Sequence, residues 1–495
     1  MSKLIIQNGN MCELDLPLKF AQKLYNEFAI RHPNAFYLRT RQRGMQNWDG
    51  KIHYITKTGQ FKIGLLPKVY DMCIEMGIKP KVVDMRQPLP KVSKVVTNIG
   101  KYKLRPEQEK AVKSVINNRV GDTPFHIGVL DYTVNAGKTL IMSSLYLTYK
   151  KQLKTLLITN DSDWLNQARE EFKQYLPGED ITFVQGKVLN WSNFTIGMVQ
   201  SISRNMRFYQ KELSQIDMVL VDEADQGGSK QYQNVITRLF NTRIRIGLSG
   251  TIYMSKLAKD KVKNMNLECF FGKVIAEFKL KDSIKKGYST KTIVKMVPGK
   301  PWYGNWESDC ISYKEIYDDS ITENNTAWTM AYNRLRWNIN QGRYPALVVC
   351  KHIAHCENLY KFFKKKLGDA YNIAYVHVNT PSKLRQQIMR DFREGKIDIL
   401  VSTTIIARGK NFPKLRYLLN AASMDSQEKS IQFLGRLVRT DESKKKVYLD
   451  DLHYPGPYLD RHGKHRKQYY QRQELKVILL DKLWKKHPNH SLIKS

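Results

Sequence analysis

The chain has 495 residues, too many for one hydrophobic core, and its length predicts about three domains. With 42% hydrophobic and 26% charged residues and no low-complexity stretch, it is neither fibrous nor largely disordered. Its 82 Lys and Arg residues exceed its 46 Asp and Glu residues, and this net charge of +36 indicates a phosphate polyanion as partner. No apolar run reaches the roughly 18 residues that span a bilayer. The opening MSKLIIQNGN lacks a signal-peptide pattern, so we expect a cytoplasmic protein.

The first 95 residues are predicted to form a small α+β domain that binds DNA. Arg39, Arg41 and Arg43 alternate along a segment interpreted as a strand, which would place three guanidinium groups on one face, toward phosphates. The alternative is that these arginines form only a solvated face. Trp48 is expected to anchor the core of this domain.

Apolar strand-like runs alternate with amphipathic helical stretches between about Asp122 and Asp451, as in a parallel α/β sheet. The runs lie at 155–159, 194–199, 218–221, 244–249, 346–350, 397–402 and 446–450. A Pro/Gly/Trp loop and a long helical region interrupt them between Pro298 and Tyr344, which favours two α/β domains joined by a linker. The predicted domains are residues 1–95, 96–297 and 298–451, followed by a basic extension at 452–495.

The segment DYTVNAGKT (131–139) lies between an apolar run and a helix-like stretch, the setting of a phosphate-binding loop. In such a loop, backbone N–H groups face the phosphates, Lys138 reaches the β and γ oxygens, and Thr139 ligates Mg²⁺. The match is incomplete, because the G-x-x-x-x-G-K-[ST] pattern has Gly where this chain has Tyr132. Taken alone, AGKT is equally compatible with an ordinary capped helix.

The segment MVLVDEAD (218–225) ends an apolar run with three carboxylates. One interpretation is an acidic helix start, because Asp and Glu favour first turns. The other is a Mg²⁺ site, with Asp222 at the carboxyl end of a strand neighbouring the loop and 222 − 138 = 84 residues after Lys138. Glu223 would then orient or deprotonate the attacking water. The positive charges of Mg²⁺ and Lys138 would offset the repulsion between the carboxylates.

Together with further segments in the same order, these two motifs resemble those of the superfamily 2 helicases over residues 102–451. The resemblance implies two RecA-like parallel-sheet motor domains that use ATP and Mg²⁺. The residues that match the family's motifs in the first domain are Arg105 and Gln108 for adenine, Ala136 and Gly137 for phosphate, Gln167 and Gln200 for the nucleic-acid backbone, and Ser249 and Thr251 for coupling hydrolysis to strand movement.

In the second α/β domain, ALVVCKHIAH resembles the fourth helicase motif. His352 is therefore expected in a strand-end loop, although Cys and His spacing leaves zinc as a minor alternative. The segment LVSTTIIARGKNFP resembles the fifth motif, which implies that Thr403 contacts phosphate and that Gly409 lies near ATP. Asn411 stands where the family usually has Asp, which departs from that pattern.

The segment SIQFLGRLVRT (430–440) matches the sixth helicase motif, Q-x-x-G-R-x-x-R. The resemblance implies that Gln432 contacts the nucleotide and that Arg436 and Arg439 are catalytic. Guanidinium groups are planar and permanently charged, so they stabilise the charge that develops on a transferring γ-phosphoryl group.

The segment from Phe36 to Gly77, with its Arg-rich stretch and Asn-Trp-Asp-Gly, closely resembles the opening of the phage UvsW helicases. That family implies an ATP-dependent DNA helicase that remodels branched DNA in recombination, repair and replication. The implied partners are double-stranded or branched DNA and a single-stranded-DNA-binding or recombination protein, in the cytoplasm of a phage-infected bacterium. Two other hypotheses stay open: an RNA-remodelling ATPase, and a non-catalytic DNA-annealing protein with a decayed motor fold.

The last 44 residues, Leu452 to Ser495, carry 10 Lys and Arg against 3 Asp and Glu, with aromatic residues between them. We interpret HGKHRKQYYQRQELKVILLDKLWKK as a helix whose apolar side docks on the second motor domain and whose basic side contacts DNA. A merely solvated basic helix is the alternative.

Overall fold

The computed structural model describes residues 2–41, 44–149, 152–160, 162–186, 190–252, 260–299, 312–407, 412–441 and 444–480. The chain divides into two compact units, Met1–Phe278 and Lys279–Ser495. In the described part of the chain, each unit contains a seven-stranded sheet in which every strand pair is parallel. The predicted α/β class with two RecA-like parallel-sheet domains is therefore confirmed.

The N-terminal part of the first unit is a small α+β fold. Its helices and strands are β1 (Lys3–Ile6), β2 (Met11–Asp15), α1 (Leu18–Glu27), β3 (Ala29–Arg31), α2 (Ala35–Arg41), β4 (Lys51–His53), β5 (Gln60–Lys62), α3 (Leu66–Glu75) and β6 (Lys81–Asp84). A mixed sheet has the order β5-β2-β1-β6, and β3 pairs with β4 in a separate antiparallel ribbon.

The remainder of the first unit is a sheet covered by helices, with strand order β13-β14-β12-β15-β16-β11-β17. Its elements are β7 (Asn98–Ile99), β8 (Tyr102–Lys103), α4 (Pro106–Ile116), β9 (Arg119–Val120), β10 (Thr123–Pro124), β11 (Ile127–Tyr132), α5 (Lys138–Thr148), β12 (Thr155–Thr159), α6 (Ser162–Tyr175), β13 (Ile181–Val184), β14 (Phe194–Met198), α7 (Val199–Arg204), α8 (Gln210–Ser214), β15 (Met218–Asp222), α9 (Lys230–Ile236), β16 (Ile244–Ser249), α10 (Lys261–Phe271) and β17 (Val274–Phe278). Every residue of β11, β12, β15 and β16 is buried, which explains why these strands are continuous apolar runs in the sequence.

The two parts of the first unit share one hydrophobic core. Leu4 and Phe61 of the small fold belong to the same buried cluster as Ile127 of strand β11 and Phe271 of helix α10. The boundary expected between residues 95 and 96 therefore does not separate two compact units. The reason is that the small fold buries one of its apolar faces against the large sheet.

A buried guanidinium group joins the same two parts. Arg245 on β16 donates hydrogen bonds to the Gly9 carbonyl (2.6 Å), to Asn10 Oδ1 (2.8 Å) and to the Phe270 carbonyl (3.1 Å). Burial lowers the pKa of Arg245 to about 9. The β1–β2 turn thus supplies polar partners that this charged group needs in the interior.

The second unit has the strand order β20-β21-β19-β22-β23-β18-β24. Its elements are α11 (Leu280–Lys285), β18 (Lys291–Pro298), α12 (Tyr313–Tyr317), α13 (Asn325–Ile339), β19 (Ala346–Cys350), α14 (Ile353–Leu367), β20 (Ile373–Val376), α15 (Ser382–Glu394), β21 (Ile399–Thr403), β22 (Tyr417–Asn420), α16 (Gln427–Leu437), β23 (Lys446–His453), α17 (Leu459–Arg472) and β24 (Val477–Leu479). Among the described residues, no helix is both long and apolar enough to cross a membrane.

The start of the second unit differs from the sequence prediction. The predicted boundary at 297/298 lies at 278/279 instead, because β18 pairs in register with β23 along its whole length. The C-terminal extension also belongs to this unit, since β24 pairs with β18 at the sheet edge. Its helix prediction holds for α17 but is wrong for Val477–Leu479, which is a strand.

A buried ionic network fastens α17 to the second sheet. Arg466, fully buried, contacts Asp451 at 2.9 Å and donates to the carbonyls of Met424 and Leu452, each at 2.9 Å. The Tyr470 hydroxyl donates to the same aspartate at 2.7 Å. The basic helix is thus attached to the sheet through one of its own arginines.

Candidate functional site

The loop between β11 and α5 has the geometry of a phosphate-binding loop. Asn135 (φ 64°) and Gly137 (φ 72°) have left-handed backbone conformations, and α5 begins at Lys138. Gly137 caps α5 without a side-chain hydrogen bond, so the N–H groups of the first turn face the loop. A Cβ at Gly137 would lie 2.3 Å from Gln108 Nε2 and would displace that amide, and the left-handed backbone also favours glycine there.

Gln108 connects this loop to helix α4. Its Nε2 donates to the Ala136 carbonyl at 2.9 Å, and its Oε1 accepts from the Arg105 backbone N–H, also at 2.9 Å. The side chain is buried, and Arg105 is the residue that precedes α4. The structure therefore places Gln108 beside the phosphate loop and joins it to the backbone of Arg105, the other predicted adenine contact.

Tyr132, which replaces the usual glycine, is the last residue of β11 and points into the interior. Its hydroxyl donates to the Glu107 carbonyl at 2.8 Å, and its ring centroid lies 6.0 Å from that of Phe278. Burial raises the pKa of this phenol. The tyrosine that replaces the motif's glycine therefore connects the end of β11 to helix α4.

A lysine and a carboxylate meet at the carboxyl edge of the first large sheet. Lys138 Nζ lies 3.6 Å from Oδ1 of Asp222, the last residue of β15. The two side chains are 23% and 5% exposed, respectively. The sequence interpretation placed Asp222 on a strand adjacent to the loop, but β16 lies between β15 and β11. The contact forms nonetheless, because the lysine side chain reaches across one strand.

The acidic segment is not the first turn of an α-helix. Glu223 has a left-handed backbone (φ 52°) and precedes a short 3₁₀ turn, Ala224–Gln226. Such a conformation is uncommon for a residue other than glycine and is typical of functional sites. Of the two interpretations, the geometry therefore favours the site over the helix start.

Asp225 takes part in a contact that the motifs did not reveal. It accepts a hydrogen bond from Ser249 Oγ at 2.7 Å, and Ser249 Oγ lies 3.1 Å from Thr251 Oγ1. These contacts join the acidic segment to Ser249, the last residue of β16, and to Thr251 just after it, the two residues predicted to couple hydrolysis to strand movement. The parallel pairing of β15 with β16, which brings their carboxyl ends together, is the signal from which it follows.

The oxygen atoms at this edge suit Mg²⁺ bound to a nucleotide. Mg²⁺ prefers one or two carboxylate oxygens combined with substrate phosphates. Asp222 Oδ1 is buried and accepts no hydrogen bond from the described residues, and Thr139 lies in the first turn of α5. Asp222 and Thr139 therefore have the oxygen ligands that the implied Mg²⁺ ion requires.

The predicted nucleic-acid contacts of the large sheet lie at the same edge. Gln200, in α7 directly after β14, donates from Nε2 to the Asn160 carbonyl at 3.3 Å. Asn160 follows β12 and donates to the side chain of Gln226. Gln167 lies one turn inside α6, where it contacts Glu171. Gln200 is therefore linked through Asn160 to Gln226, the residue that follows the acidic segment. The described contacts give Gln167 no such link.

The arginines of the N-terminal part lie on a helix, so the strand interpretation is wrong. Arg39 and Arg41 are exposed in α2, and Arg43 lies outside the described residues. Alternate positions of a helix point in different directions, so a common face does not follow. Trp48 is half-buried: its Nε1 donates to the Lys51 carbonyl at 2.8 Å, and its ring lies edge-on to His32.

In the second unit, α16 carries Gln432 and Arg436, both half-buried. Arg439 follows the helix, and its carbonyl accepts from Thr290 Oγ1 at 3.2 Å. Thr403 is the last residue of β21 and is buried. The structure therefore places Thr403 at a strand end, as its motif implies.

Two residues of the fifth motif, Gly409 and Asn411, lie outside the described residues. His352 caps α14 directly after β19, in the predicted strand-end loop. Within the described residues, no group of three or more His, Cys, Asp and Glu side chains is arranged to hold a metal ion.

Comparison with known proteins adds two family matches. The family described as "Type III restriction enzyme, res subunit" matches residues 101–254, and "Helicase conserved C-terminal domain" matches residues 331–441. The ATP-dependent DNA helicase uvsW of Enterobacteria phage T4 is 21% identical over 436 residues, 82% of each chain.

Solved structures agree on the fold. The ATP-dependent Type ISP restriction-modification enzyme LlaBIII, bound to DNA, gives a TM-score of 0.57 at 15% identity, covering 84% of this chain and 35% of that one. Dbp5 of S. cerevisiae, bound to RNA and ADP BeF3, gives a TM-score of 0.52 at 14% identity, covering 77% of this chain and 92% of that one.

The lengths of other relatives differ from that of this chain. The chain spans 64% and 51% of two proteins named as helicases, from Sulfolobus islandicus filamentous virus and Saccharomyces cerevisiae, each 22% identical to it. Both family matches, the two parallel sheets and the contact between Lys138 and Asp222 lead to the same conclusion. The chain therefore carries the two helicase domains of superfamily 2, at residues 101–254 and 331–441.

Proposed function

We propose that this chain is an ATP-dependent DNA helicase or translocase that remodels branched DNA, by branch migration or by processing forks and R-loops. The observation that carries the proposal is the meeting of the phosphate loop, Gln108 and Asp222 at one sheet edge. Support for DNA as substrate comes from a relative named as an ATP-dependent DNA helicase, which aligns over 82% of each chain. Recombination, repair and replication are the processes that such remodelling serves.

In this proposal, the first unit binds MgATP. Lys138 neutralises the β and γ phosphates, and the first-turn N–H groups of α5 bind the same phosphates. Asp222 and Thr139 would hold Mg²⁺, and the ion would supply positive charge against the charge that develops on the phosphoryl group. Glu223 orients the attacking water and accepts its proton.

The remaining roles follow the family pattern. Arg436 and Arg439 stabilise the charge of the transferring phosphoryl group, and Gln432 contacts the nucleotide. Ser249, bonded to both Asp225 and Thr251, couples hydrolysis to strand movement. The residues assigned to the nucleic-acid backbone are Arg39, Arg41, Gln167, Gln200 and Thr403.

Replacing Lys138 by Ala tests the ATP site. We expect DNA-stimulated hydrolysis to fall by about 100-fold or more, because the charge facing the phosphates is lost, while DNA binding without nucleotide persists. The control is Lys19→Ala, which removes an exposed lysine on α1 and should leave hydrolysis unchanged. Full activity of the Lys138 variant would overturn the site assignment.

The substrate is tested by measuring ATPase and remodelling on linear duplex, fork, Holliday junction, RNA–DNA hybrid and single-stranded RNA. We expect branched DNA to stimulate hydrolysis about tenfold more than linear duplex of equal length, an order-of-magnitude estimate for a site that discriminates structure. Stronger stimulation by RNA would support the RNA-remodelling alternative. Nucleic-acid annealing without any hydrolysis would support the non-catalytic one.

A further inference from the structure

Three cations surround an exposed tryptophan on the second unit. Trp337 lies in the last turns of α13 and is 39% exposed. Lys295 Nζ and the Arg343 guanidinium carbon each lie 4.7 Å from its ring centroid, and the Arg334 guanidinium carbon lies 5.1 Å away. Arg343 also stacks on Tyr448 at 3.6 Å. We call these five residues the Trp337 patch.

The charge of this patch is only partly balanced. Arg334 is buried and bonds to Asp450 Oδ2 through Nη2 at 2.6 Å, so its charge is paired. Within the described residues, neither Lys295 nor Arg343 forms an ion pair with a carboxylate, and the Arg343 guanidinium donates a hydrogen bond only to Asn338 Oδ1, at 2.9 Å. Two positive charges therefore remain beside an exposed indole ring.

An anion would relieve the resulting repulsion. Burial lowers the pKa of Lys295; Asp450 opposes this effect, while Arg334 and Arg343 add to it. Like charges held close together disfavour their own ionised forms, and a bound anion reverses that effect. Cations stacked on aromatic rings present such a charge without needing a carboxylate partner.

The patch lies away from the predicted nucleic-acid contact of the same unit. Arg343 precedes β19, and Tyr448 lies in the first half of β23, so the patch is toward the amino-terminal ends of these strands. Thr403 is the last residue of β21, which is parallel to β19. It therefore lies at the carboxyl-terminal ends of the strands, opposite to the patch. One segment of nucleic acid at the strand ends would leave the patch unoccupied.

We propose that the Trp337 patch is a second binding site for the phosphate backbone of DNA, and the inference rests on the proposed function. Lys295 and Arg343 each neutralise one phosphate, and the exposed edge of Trp337 packs against the sugar or base. An enzyme that remodels branched DNA holds more than one arm, and this site holds an arm that the strand-end contacts do not reach. A nucleic acid suits the patch better than an acidic peptide because the net charge of +36 favours polyphosphate over the whole chain.

The double variant Lys295→Gln/Arg343→Gln tests the site. The Kd of the full chain for a fluorescent forked duplex is measured without nucleotide at several salt concentrations. The slope of log K against log[salt] is negative, and each lost phosphate contact reduces its magnitude by about 0.9, so we expect a reduction in magnitude of about 1.8. The control is Lys361→Gln/Lys365→Gln, which removes the same charge from exposed positions of α14 and should leave the slope nearly unchanged.

Equal slopes for the two double variants would overturn the proposal. Circular dichroism and the single variant Lys295→Arg, which keeps the charge and should keep the slope, separate lost contacts from lost folding. If binding of poly-glutamate falls while the DNA slope stays constant, the patch serves an acidic protein and the DNA assignment is wrong. Because the assay needs no hydrolysis, a chain inactive as an ATPase would refute the proposed function without changing this result.

Discussion

Gln108 and Ser249 each connect two loops at the carboxyl edge of the first large sheet. Gln108 spans from the start of α4 to the phosphate loop, and Ser249 spans from β16 to the acidic segment. Each neutral side chain forms hydrogen bonds with two partners. We therefore expect a displacement of one connected segment to shift the other. A nucleotide that displaces the phosphate loop would therefore also shift α4.

Gly137→Ala should impair this arrangement. The left-handed backbone would cost about 1–2 kcal/mol, and the added methyl group would displace Gln108 from the Ala136 carbonyl. We expect ATP affinity, measured by calorimetry, to fall by about tenfold, the equivalent of one lost buried hydrogen bond.

Gly178→Ala is the matched control for that variant. Gly178 has φ +80°, and a methyl group added there would meet no atom within 4 Å, so the backbone cost is the same and the steric clash is absent. It should lower the melting temperature while keeping ATP affinity. Equal affinities for the two variants would contradict the role of Gly137.

Single residues also show what sequence reasoning can reach. The contact between Lys138 and Asp222 was predictable, because each belongs to a motif with a known chemical task. The bond between Ser249 and Asp225 was not, since it depends on which strands are neighbours in the sheet. The sequence pattern also does not reveal the interior position of Tyr132, because its hydrogen-bond partner, Glu107, lies on helix α4.

The positions of strands could be predicted from the sequence where the apolar runs were continuous. The predicted runs at 155–159, 244–249 and 346–350 are strands with the same bounds, because full burial needs continuous apolar residues. The segment around Arg39 was misassigned because alternating arginines fit a strand pattern and an exposed helix equally well. Strand β18 belongs to the second sheet because it pairs with β23, far along the chain. The local sequence pattern around β18 does not indicate such a long-range pairing.

Helix α17 gives a prediction at the scale of elements. Arg466→Leu leaves the buried carboxylate of Asp451 without its guanidinium partner, and the loss should be about 3–5 kcal/mol. Unfolding in urea is followed by tryptophan fluorescence. We expect the midpoint of the transition of the second unit to move to a lower urea concentration.

Arg461→Leu makes the same chemical change at an exposed position of α17 and should shift the midpoint little. Equal midpoints for the two variants would show that the buried network does not hold α17 in place.

At the scale of the whole molecule, the N-terminal residues act as part of the first motor domain. Deleting residues 1–95 would remove the Gly9 and Asn10 partners of Arg245 and expose the shared core. We expect the truncated chain to aggregate or to melt well below the full chain, because apolar residues of the shared core would be exposed to water. Thermal melting and size-exclusion chromatography make the comparison.

Supplying residues 1–95 as a separate polypeptide is the control for this deletion. It should restore part of the lost stability, since the missing surface is returned. A truncated chain that melts at the temperature of the full chain would contradict the shared core. In that case, residues 1–95 would be an independent DNA-binding module, as the sequence pattern suggested.

The shared core also bears on how the chain is made. The small mixed sheet is complete once residue 95 has left the ribosome, but the cluster that it joins includes Phe271. At about 5–20 residues per second, the intervening segment takes roughly 9–35 s to synthesise. During that interval the nascent small fold displays apolar surface that has nothing to cover it. Translation speed and chaperone capture therefore bear most heavily on this chain while residues 96–271 are being made.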